Sequence, residues 1–297
     1  MTAMTRRNLR NGLLFASPFI LGLAAFTLYP VVASIYLSFC RYTILRPPQW
    51  VGLDNYRLLF TEDPLFWRSL YNTLYYTALA LPLGLSLSLA LAALLNMRLR
   101  GMAFYRTLYF LPTVVPTVAV AILWLWVLNP EYGVLKAVLA AVHLPSPGWL
   151  ADPRWSKPGL VLMGLWGLGG TMVIFLAGLA GIPQQLYEAA AIDGAGRWSQ
   201  FRHVTLPMLT PTIFFNLVIG LIASFQYFTQ VYIMTNGGPT HSTLFYALYL
   251  YQNAFRYLRM GYASAMAWML FLLILGATLL LHRTSARWVY YEGGPTP

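Results

Sequence analysis

The stretch IPQQLYEAAAIDGAGRWSQFRHVTLPML, residues 182–209, is a polar interval between two long apolar runs. Pro183 suits the first position of a helix, and residues 184–192 are good helix formers. Gly194 then ends that helix, because glycine readily adopts the left-handed conformation of a C-terminal cap. A second helix is predicted from about Trp198 to His203. The interval therefore predicts a helix–turn–helix, which is more structure than a simple linker needs.

The composition places this hairpin in a membrane protein. Of the 297 residues, 59% are hydrophobic and only 9% are charged, whereas soluble globular chains carry about 25% charged residues. Such a chain cannot cover a water-facing surface in the ordinary way, and it is too apolar to be disordered. The net charge is +11, but the arginines are scattered between apolar stretches. We therefore expect membrane lipid, and no nucleic acid, as a partner.

Long gaps between charged residues mark the membrane spans, since a spanning helix needs about 20 mainly apolar residues. The chain is predicted to be all-α and polytopic, with residues 1–297 forming one transmembrane domain. The six predicted spans lie at about 13–39, 70–96, 107–128, 159–181, 207–234 and 261–281. Residues 137–151 are uncharged but few, and they contain two prolines, so a loop is predicted there. Prolines within the spans are interpreted as kinks for packing.

Six spans place both termini on one side of the membrane. With the termini in the cytoplasm, cytoplasmic segments hold ten Lys and Arg residues and outer loops hold nine, which is a weak positive-inside signal. The short basic N-terminal tail and the basic loop at 98–106 favour this orientation, and the outer loops hold five of the eight acidic residues.

Several kinds of chemistry are missing from the sequence. No Asp, Glu, Lys or Arg lies within a predicted span core, which argues against ion-driven transport. Neither of the two lysines belongs to a phosphate-binding loop, and no hydrolase motif occurs. The four histidines lie far apart, so no metal site is predicted. A membrane enzyme acting on lipid-linked sugars would need paired acids, and the outer-loop acids show no pairing pattern.

The hairpin carries a motif of fixed spacing: Glu188-Ala189-Ala190, then Gly194, then Val204-x-Leu206-Pro207. It resembles the EAA signature of binding-protein-dependent ABC importer permeases, with Val204 where isoleucine is commoner. The resemblance implies a type I ABC importer permease fold, in which residues 182–206 form a cytoplasmic loop that docks into a groove on the ATPase subunit. The residues implied in ATPase coupling are Glu188, Ala189, Ala190, Asp193, Gly194, Val204, Leu206 and Pro207.

The resemblance extends over nearly the whole chain. Within the family, the chain resembles the carbohydrate-uptake branch, specifically the MalF- or UgpA-like partner of a permease pair. Segments that carry it include VGLDNYRLLF (51–60), GWLADP (148–153) and TNGGP (235–239). The chain has no large inserted outer domain like that of MalF, so maltose itself is not implied. The resemblance implies a non-catalytic subunit without its own cofactor, in a bacterial cytoplasmic (inner) membrane. The implied partners are a second, MalG-like permease, two ATPase subunits that bind Mg-ATP, and an extracytoplasmic solute-binding protein.

A polar stripe predicts the substrate path. On the fifth span, polar and small residues recur at three- and four-residue steps, which is one face of a helix. Buried polar groups need partners, so this face should meet other helices or a cavity. The predicted path residues are Trp166, Gly167, Gly170, Asn216, Gly220, Ser224, Tyr227 and Gln230. On the fourth span, Gly164, Gly167 and Gly170 repeat at three-residue steps, and close helix packing would explain these glycines equally well.

The stripe has hydroxyl, amide and aromatic groups but no charge, which suits a neutral polyol such as a sugar. Glycerol phosphate esters remain open, because the second permease could supply a charge. A stand-alone polyol channel or facilitator would also explain an uncharged core, but it would leave the hairpin without a role.

Overall fold

The computed structural model describes residues 3–97 and 100–290. Arg98 and the side chains of the basic N-terminal tail, which were counted in the predicted orientation, lie outside the described part. Residues 1–2 and 291–297, the two ends of the predicted 1–297 domain, also lie outside the described part.

The chain is built almost entirely of helices. The α-helices are α1 Ala3–Leu23, α2 Tyr29–Ser38, α3 Asp54–Arg57, α4 Pro64–Leu95, α5 Met102–Phe110, α6 Thr117–Val127, α7 Val134–Ala141, α8 Ser156–Trp166, α9 Gly169–Ala180, α10 Gln184–Ile192, α11 Arg197–Gln200, α12 Leu206–Met208, α13 Thr210–Phe225, α14 Thr229–Met234, α15 Tyr246–Tyr251 and α16 Met260–Ser285. π-helical turns occupy Ala24–Leu28, Leu58–Glu62, Phe201–Thr205 and Gln252–Arg256, and a 3₁₀ turn occupies Leu111–Val114. Two strands, β1 Cys40–Thr43 and β2 Arg46–Trp50, pair antiparallel, with Cys40 opposite Trp50.

Over the described ranges, four helices are long and apolar enough to cross a membrane: Asn11–Ser38, Pro64–Leu95, Thr210–Met234 and Met260–Ser285. Two further pairs of helices pass the same test together but are bent, Met102–Val114 with Thr117–Val127 by 99° and Ser156–Trp166 with Gly169–Ala180 by 49°. If each bent pair is one span, the total is six. The six intervals predicted from the sequence each overlap one of these helices or pairs.

The chain forms two compact units, and the smaller one combines residues up to Pro64 with Leu250–Phe271. Within it, Asn55 donates hydrogen bonds to the carbonyl oxygens of Ser38 and Cys40, at 2.8 and 2.9 Å. The β-hairpin is thereby tied to the end of the first span. Gly261 lies directly against the Cys40 carbonyl, so any side chain at Gly261 would clash with backbone.

The larger unit combines Leu65–Tyr249 with the residues from Leu272 onward. Its helix α4 begins six residues before the interval predicted from hydropathy, and polar side chains in its third turn are buried and bonded. Asn72 donates to the carbonyl oxygens of His241 and Leu244, at 2.9 and 3.0 Å, and Thr73 accepts a hydrogen bond from the Tyr246 amide at 2.9 Å. The loop before α15 is therefore fixed to α4.

The prediction of a loop at residues 137–151 is partly wrong. Within the predicted loop 137–151, residues up to Ala141 belong to α7, and only the part after them is irregular. Gly133 starts this helix in extended backbone, and alanine, leucine and valine continue it. Proline affects only the later part, since Pro145 and Pro147 lie beyond the end of α7.

Candidate functional site

A cavity of about 470 Å³ lies within the larger unit, where three membrane segments are broken. The breaks are the 99° bend at Leu111–Pro116, the 49° bend at Gly167–Leu168, and the gap Gln226–Phe228 between α13 and α14. Residues from all three breaks line the cavity. Irregular backbone at membrane depth is tolerated where it lines a cavity, because its free polar groups can be solvated there. The cavity therefore accounts for the presence of broken helices within the membrane segments.

No residue in the cavity lining is charged. The polar lining groups come from Tyr76, Thr113, Thr117, Ser224, Tyr227 and Gln230, and Trp166 adds an aromatic surface. The volume falls in the range of about 300–1,000 Å³ that small-molecule sites occupy. Hydroxyl, amide and aromatic groups around an uncharged space can bind a polyhydroxylated molecule through hydrogen bonds and ring stacking.

Tyr227 is the central aromatic residue of this lining. Its ring stacks on Tyr76, with 4.5 Å between centroids, and both rings contact Phe245 at 5.9 and 5.3 Å. The Tyr227 hydroxyl is buried near Tyr76 but makes no hydrogen bond of good geometry to any described residue. An unpaired buried hydroxyl is costly, and a ligand in the cavity that reached it would relieve that cost.

The cavity brings together most of the predicted path residues but not all of them. Trp166, Gly167, Gly220, Ser224, Tyr227 and Gln230 line it. Asn216 does not line it, and its amide donates back to the Thr212 carbonyl at 2.9 Å. Gly170 also lies outside the lining and faces open space. The helix ends at Phe225, yet Tyr227 and Gln230 line the same cavity as Gly220 and Ser224, so Asn216 is the one member of the fifth-span stripe outside the lining.

Tyr76 and the threonines of the third span were missed from the sequence. Two signals could have found them. Asn72 and Tyr76 lie four residues apart on one face of α4, and Pro112 and Pro116 bracket the bend in the third span. Packing kinks alone do not account for these prolines, because the break that they bracket lines the cavity.

The predicted helix–turn–helix is present as α10, a turn and α11. Gly194 has φ +79°, as the sequence predicted for a C-terminal cap. The amide of Gly194 bonds the Ala191 carbonyl at 3.1 Å, and the Ala195 amide bonds the Ala190 carbonyl at 2.8 Å. This pair of bonds is a Schellman motif, which satisfies carbonyls at the end of α10.

The two faces of this hairpin differ. Of the predicted coupling residues, Glu188, Ala189, Asp193 and Gly194 are exposed, whereas Ala190, Val204, Leu206 and Pro207 are half-buried. The exposed face also carries two large apolar side chains, Ile192 (87% exposed) and Trp198 (72% exposed). Two large apolar side chains this exposed on a polar hairpin make its outer face a candidate contact surface.

The inner face packs on an apolar cluster at one end of the larger unit. Tyr187 and Val204 of the hairpin contact a core of buried residues from α4, α9 and the flanking turns, namely Ala92, Leu95, Met172, Phe175, Leu179, Ile182 and Leu209. The Tyr187 hydroxyl also bonds Thr205 Oγ1 at 2.9 Å and closes the hairpin. Arg106 donates two hydrogen bonds to the Leu95 carbonyl, at 2.8 and 3.2 Å, and so caps α4 beside this cluster.

A set of broken membrane helices around an uncharged cavity, with an exposed hairpin at one end, is the arrangement of an integral-membrane transport protein. A family model described as "Binding-protein-dependent transport system inner membrane component" matches residues 80–289. The chain belongs to this family, in its carbohydrate-uptake ABC permease branch.

Curated relatives and a solved structure cover almost the full chain. The chain is 44% identical to the probable ABC transporter permease protein YesP of Bacillus subtilis over 291 residues, 97% of this chain and 94% of the relative. It is 36% identical to the lactose transport system permease LacF of Rhizobium radiobacter over 272 residues, 89% and 90% of the two chains. A crystal structure of a bacterial alginate ABC transporter, in complex with its alginate pentasaccharide-bound periplasmic protein, matches with TM-score 0.83 and 26% identity, covering 95% and 96%.

Proposed function

We propose that this chain is a permease subunit that moves a sugar or sugar derivative across the bacterial cytoplasmic membrane in an ATP-driven importer. The observation that carries the proposal is the uncharged cavity at the three helix breaks, in a chain that also exposes the EAA hairpin. Relatives named for lactose and for alginate transport support a saccharide without fixing which one.

The energy enters through partner subunits in this proposal. Mg-ATP binds to two ATPase subunits, and their closure moves the hairpin, whose exposed face presents Glu188 and Ile192. Tyr187 and Val204 pack on the cluster that includes the ends of α4 and α9. Because α4 lines the cavity and α9 continues directly from the lining helix α8, a displacement of the hairpin is transmitted to the cavity walls. The chain itself performs no catalysis.

The remaining partners follow from the family. A second, MalG-like permease completes the membrane pathway, and an extracytoplasmic solute-binding protein delivers the substrate. The hairpin faces the cytoplasm, and six spans then place both termini there. The alginate transporter that matches this fold was crystallised with its periplasmic protein, which supports a binding-protein partner. A stand-alone polyol channel would have no use for the exposed hairpin.

Reconstitution tests this proposal. The chain, its permease partner and the ATPase subunits are placed in liposomes, and uptake of labelled saccharides is measured with ATP and the binding protein. We expect uptake only when all components are present. Uptake by this chain alone, without the ATPase subunits, would instead establish a facilitator.

We predict that Ile192→Asp weakens binding of the ATPase subunits by about 30-fold or more. Ile192 is 87% exposed, so its replacement leaves the fold unchanged but removes an apolar anchor and adds a charge. Loss of such an anchor at the centre of an interface costs about 2 kcal/mol or more. Co-purification and ATPase titration measure the effect. Leu45→Asp, at an 83% exposed position of the β1–β2 loop, is the matched control and should leave ATPase binding intact.

We predict that Tyr227→Phe lowers saccharide uptake by about tenfold while leaving thermal stability unchanged or slightly higher. The Tyr227 hydroxyl has no protein partner of good geometry in the described residues, so its removal costs the fold nothing, but it removes a hydrogen bond to the substrate. Thr77→Val is the control, since the Thr77 hydroxyl is likewise buried and unpaired but does not line the cavity. Equal uptake by both variants and the wild type would remove Tyr227 from the substrate site.

A further inference from the structure

One lysine of the larger unit has only neutral partners. The Lys157 ammonium donates hydrogen bonds to Asn72 Oδ1 at 3.1 Å and to the Ser242 carbonyl at 3.2 Å. It also lies 5.6 and 5.1 Å from the ring centroids of Tyr71 and Tyr75. No carboxylate in the described part of the chain forms an ion pair with Lys157.

Arg68 adds a second positive charge near Lys157. It is exposed and lies four residues before Asn72 on α4, so it shares the helix face that bonds Lys157, and its positive charge opposes that of Lys157. Two neighbouring cations without an anion repel each other, and Lys157 is also partly buried, so an arriving anion would be stabilised by both. Tyr71 is 58% exposed, which leaves this side of the cluster accessible.

The register of two helices places the cluster at one end of the cavity. On α8, Lys157, Val161 and Gly164 lie at i, i+4 and i+7 and therefore share a face, and the latter two line the cavity. On α4, Asn72 and Tyr76 are related in the same way, and Tyr76 lines the cavity. One helical turn is about 5.4 Å. The bonded pair Lys157–Asn72 thus stands one turn beyond the lining, between the same two helices.

This end of the cavity is opposite to the hairpin along the span. Lys157 lies in the first turn of α8, whereas α9, the second half of the bent pair, ends at Ala180 and leads into α10. In the proposed orientation, the Lys157 cluster is therefore the outer mouth, where a delivered substrate arrives first.

We propose that Lys157 and Arg68 form an anion-recognition subsite at this mouth, and that the transported saccharide carries an acidic group such as a carboxylate, sulfonate or phosphate. The acidic group binds between the two cations, and the rings of Tyr71 and Tyr75 offer faces to the sugar C–H groups. The rest of the saccharide then enters the uncharged cavity. This inference rests on the proposed import function and assigns the charge of its substrate.

Equilibrium binding to the complete importer tests the subsite. The chain, its permease partner and both ATPase subunits are placed in nanodiscs, trapped with ADP and vanadate, and titrated with labelled D-glucuronate and D-glucose. These probes differ only in the carboxylate at C6. We expect glucuronate to bind about tenfold more tightly, a difference of about 1.4 kcal/mol. Lys157→Gln should abolish the preference and Lys157→Arg should retain it.

Lys136→Gln is the matched control, since Lys136 is the only other lysine of the chain and bonds the Glu131 carbonyl on the exposed surface. It should leave the preference unchanged. A wild-type importer that binds both sugars equally, or neither of them, overturns the anionic-substrate inference. If Lys157→Gln instead weakens docking of the solute-binding protein without altering sugar preference, the anion comes from that protein and the inference is likewise wrong.

ATP hydrolysis stimulated by the loaded binding protein distinguishes failure of the anion subsite from failure of the proposed import function. Coupled hydrolysis with no charge preference overturns the subsite alone. The absence of coupled hydrolysis and of ATP-dependent uptake would overturn the import function itself.

Discussion

Replacing Gly194 with valine is expected to reduce ATP-coupled uptake by about 5- to 30-fold. Gly194 has φ +79°, and an L-residue in this conformation costs roughly 1–2 kcal/mol, with β-branched residues at the upper end. That cost corresponds to a factor of about 5–30 in the population of the correctly formed turn. The turn positions α11 relative to α10, so the exposed face of the hairpin loses its shape.

The effect at Gly194 is conformational and not steric, because a Cβ there would meet nothing within 4 Å. Gly196 offers a matched control two residues away. It also has open space around its Cβ position, but its φ is −68°, which any residue adopts. Gly196→Val should therefore keep coupled uptake near the wild-type level.

Binding-protein-stimulated ATP hydrolysis in the reconstituted complex, together with uptake, measures this prediction. Gly194→Asn should be intermediate, since asparagine tolerates the left-handed region better than valine. Equal activity of Gly194→Val and Gly196→Val would contradict the role of the turn in coupling.

The elements that could be predicted from the sequence are those with a local signal. Hydropathy located the apolar segments, and Pro183 and Gly194 marked the ends of α10. A glycine that needs positive φ and a run without charge are both properties of neighbouring residues. The same holds for the EAA spacing, which indicated the family.

The helix breaks that create the cavity were harder to predict from the sequence. The gap Gln226–Phe228 contains neither glycine nor proline, so nothing in the local pattern ends α13 there, and a continuous polar face was predicted through it. Asn72 was passed over because its partners, the carbonyls of His241 and Leu244, lie 169 and 172 residues away. Lys157 likewise depends on Asn72 and on the carbonyl of Ser242, 85 residues away in each case. Contacts at this separation depend on the fold and leave no local trace.

Glycine spacing on the fourth span indicated close helix packing, but it selected the wrong glycine. The three-residue pattern selected Gly170, whereas a Cβ at Gly170 would meet nothing within 4 Å. Its neighbour Gly169 faces the backbone of the third span, with a Cβ position only 2.7 Å from Phe110 Cα and in conflict with the Tyr109 carbonyl. Close packing of small residues is therefore real at this site, one position earlier than the pattern indicates.

Gly169→Ala is accordingly expected to destabilise the folded subunit by about 3 kcal/mol, the upper part of the range for overpacked sites. The obstacle is backbone of another helix, which cannot rotate away as a side chain could. Gly170→Ala, in the same helical turn, should be neutral or slightly stabilising, because alanine is the better helix former. Thermal unfolding of the purified complexes in detergent compares the two variants, and equal midpoints would contradict the close approach.

A functional consequence follows from the position of Gly169. It starts α9 immediately after the Gly167–Leu168 bend and holds it against the bend of the third span, so two of the three breaks that line the cavity depend on this contact. Gly169→Ala should then impair uptake even at a temperature where the complex remains folded, because separating these bends widens the cavity. Saccharide uptake per folded complex, measured below the unfolding midpoint, distinguishes this outcome from simple loss of protein. Normal uptake per folded complex would show that the cavity walls do not depend on the contact.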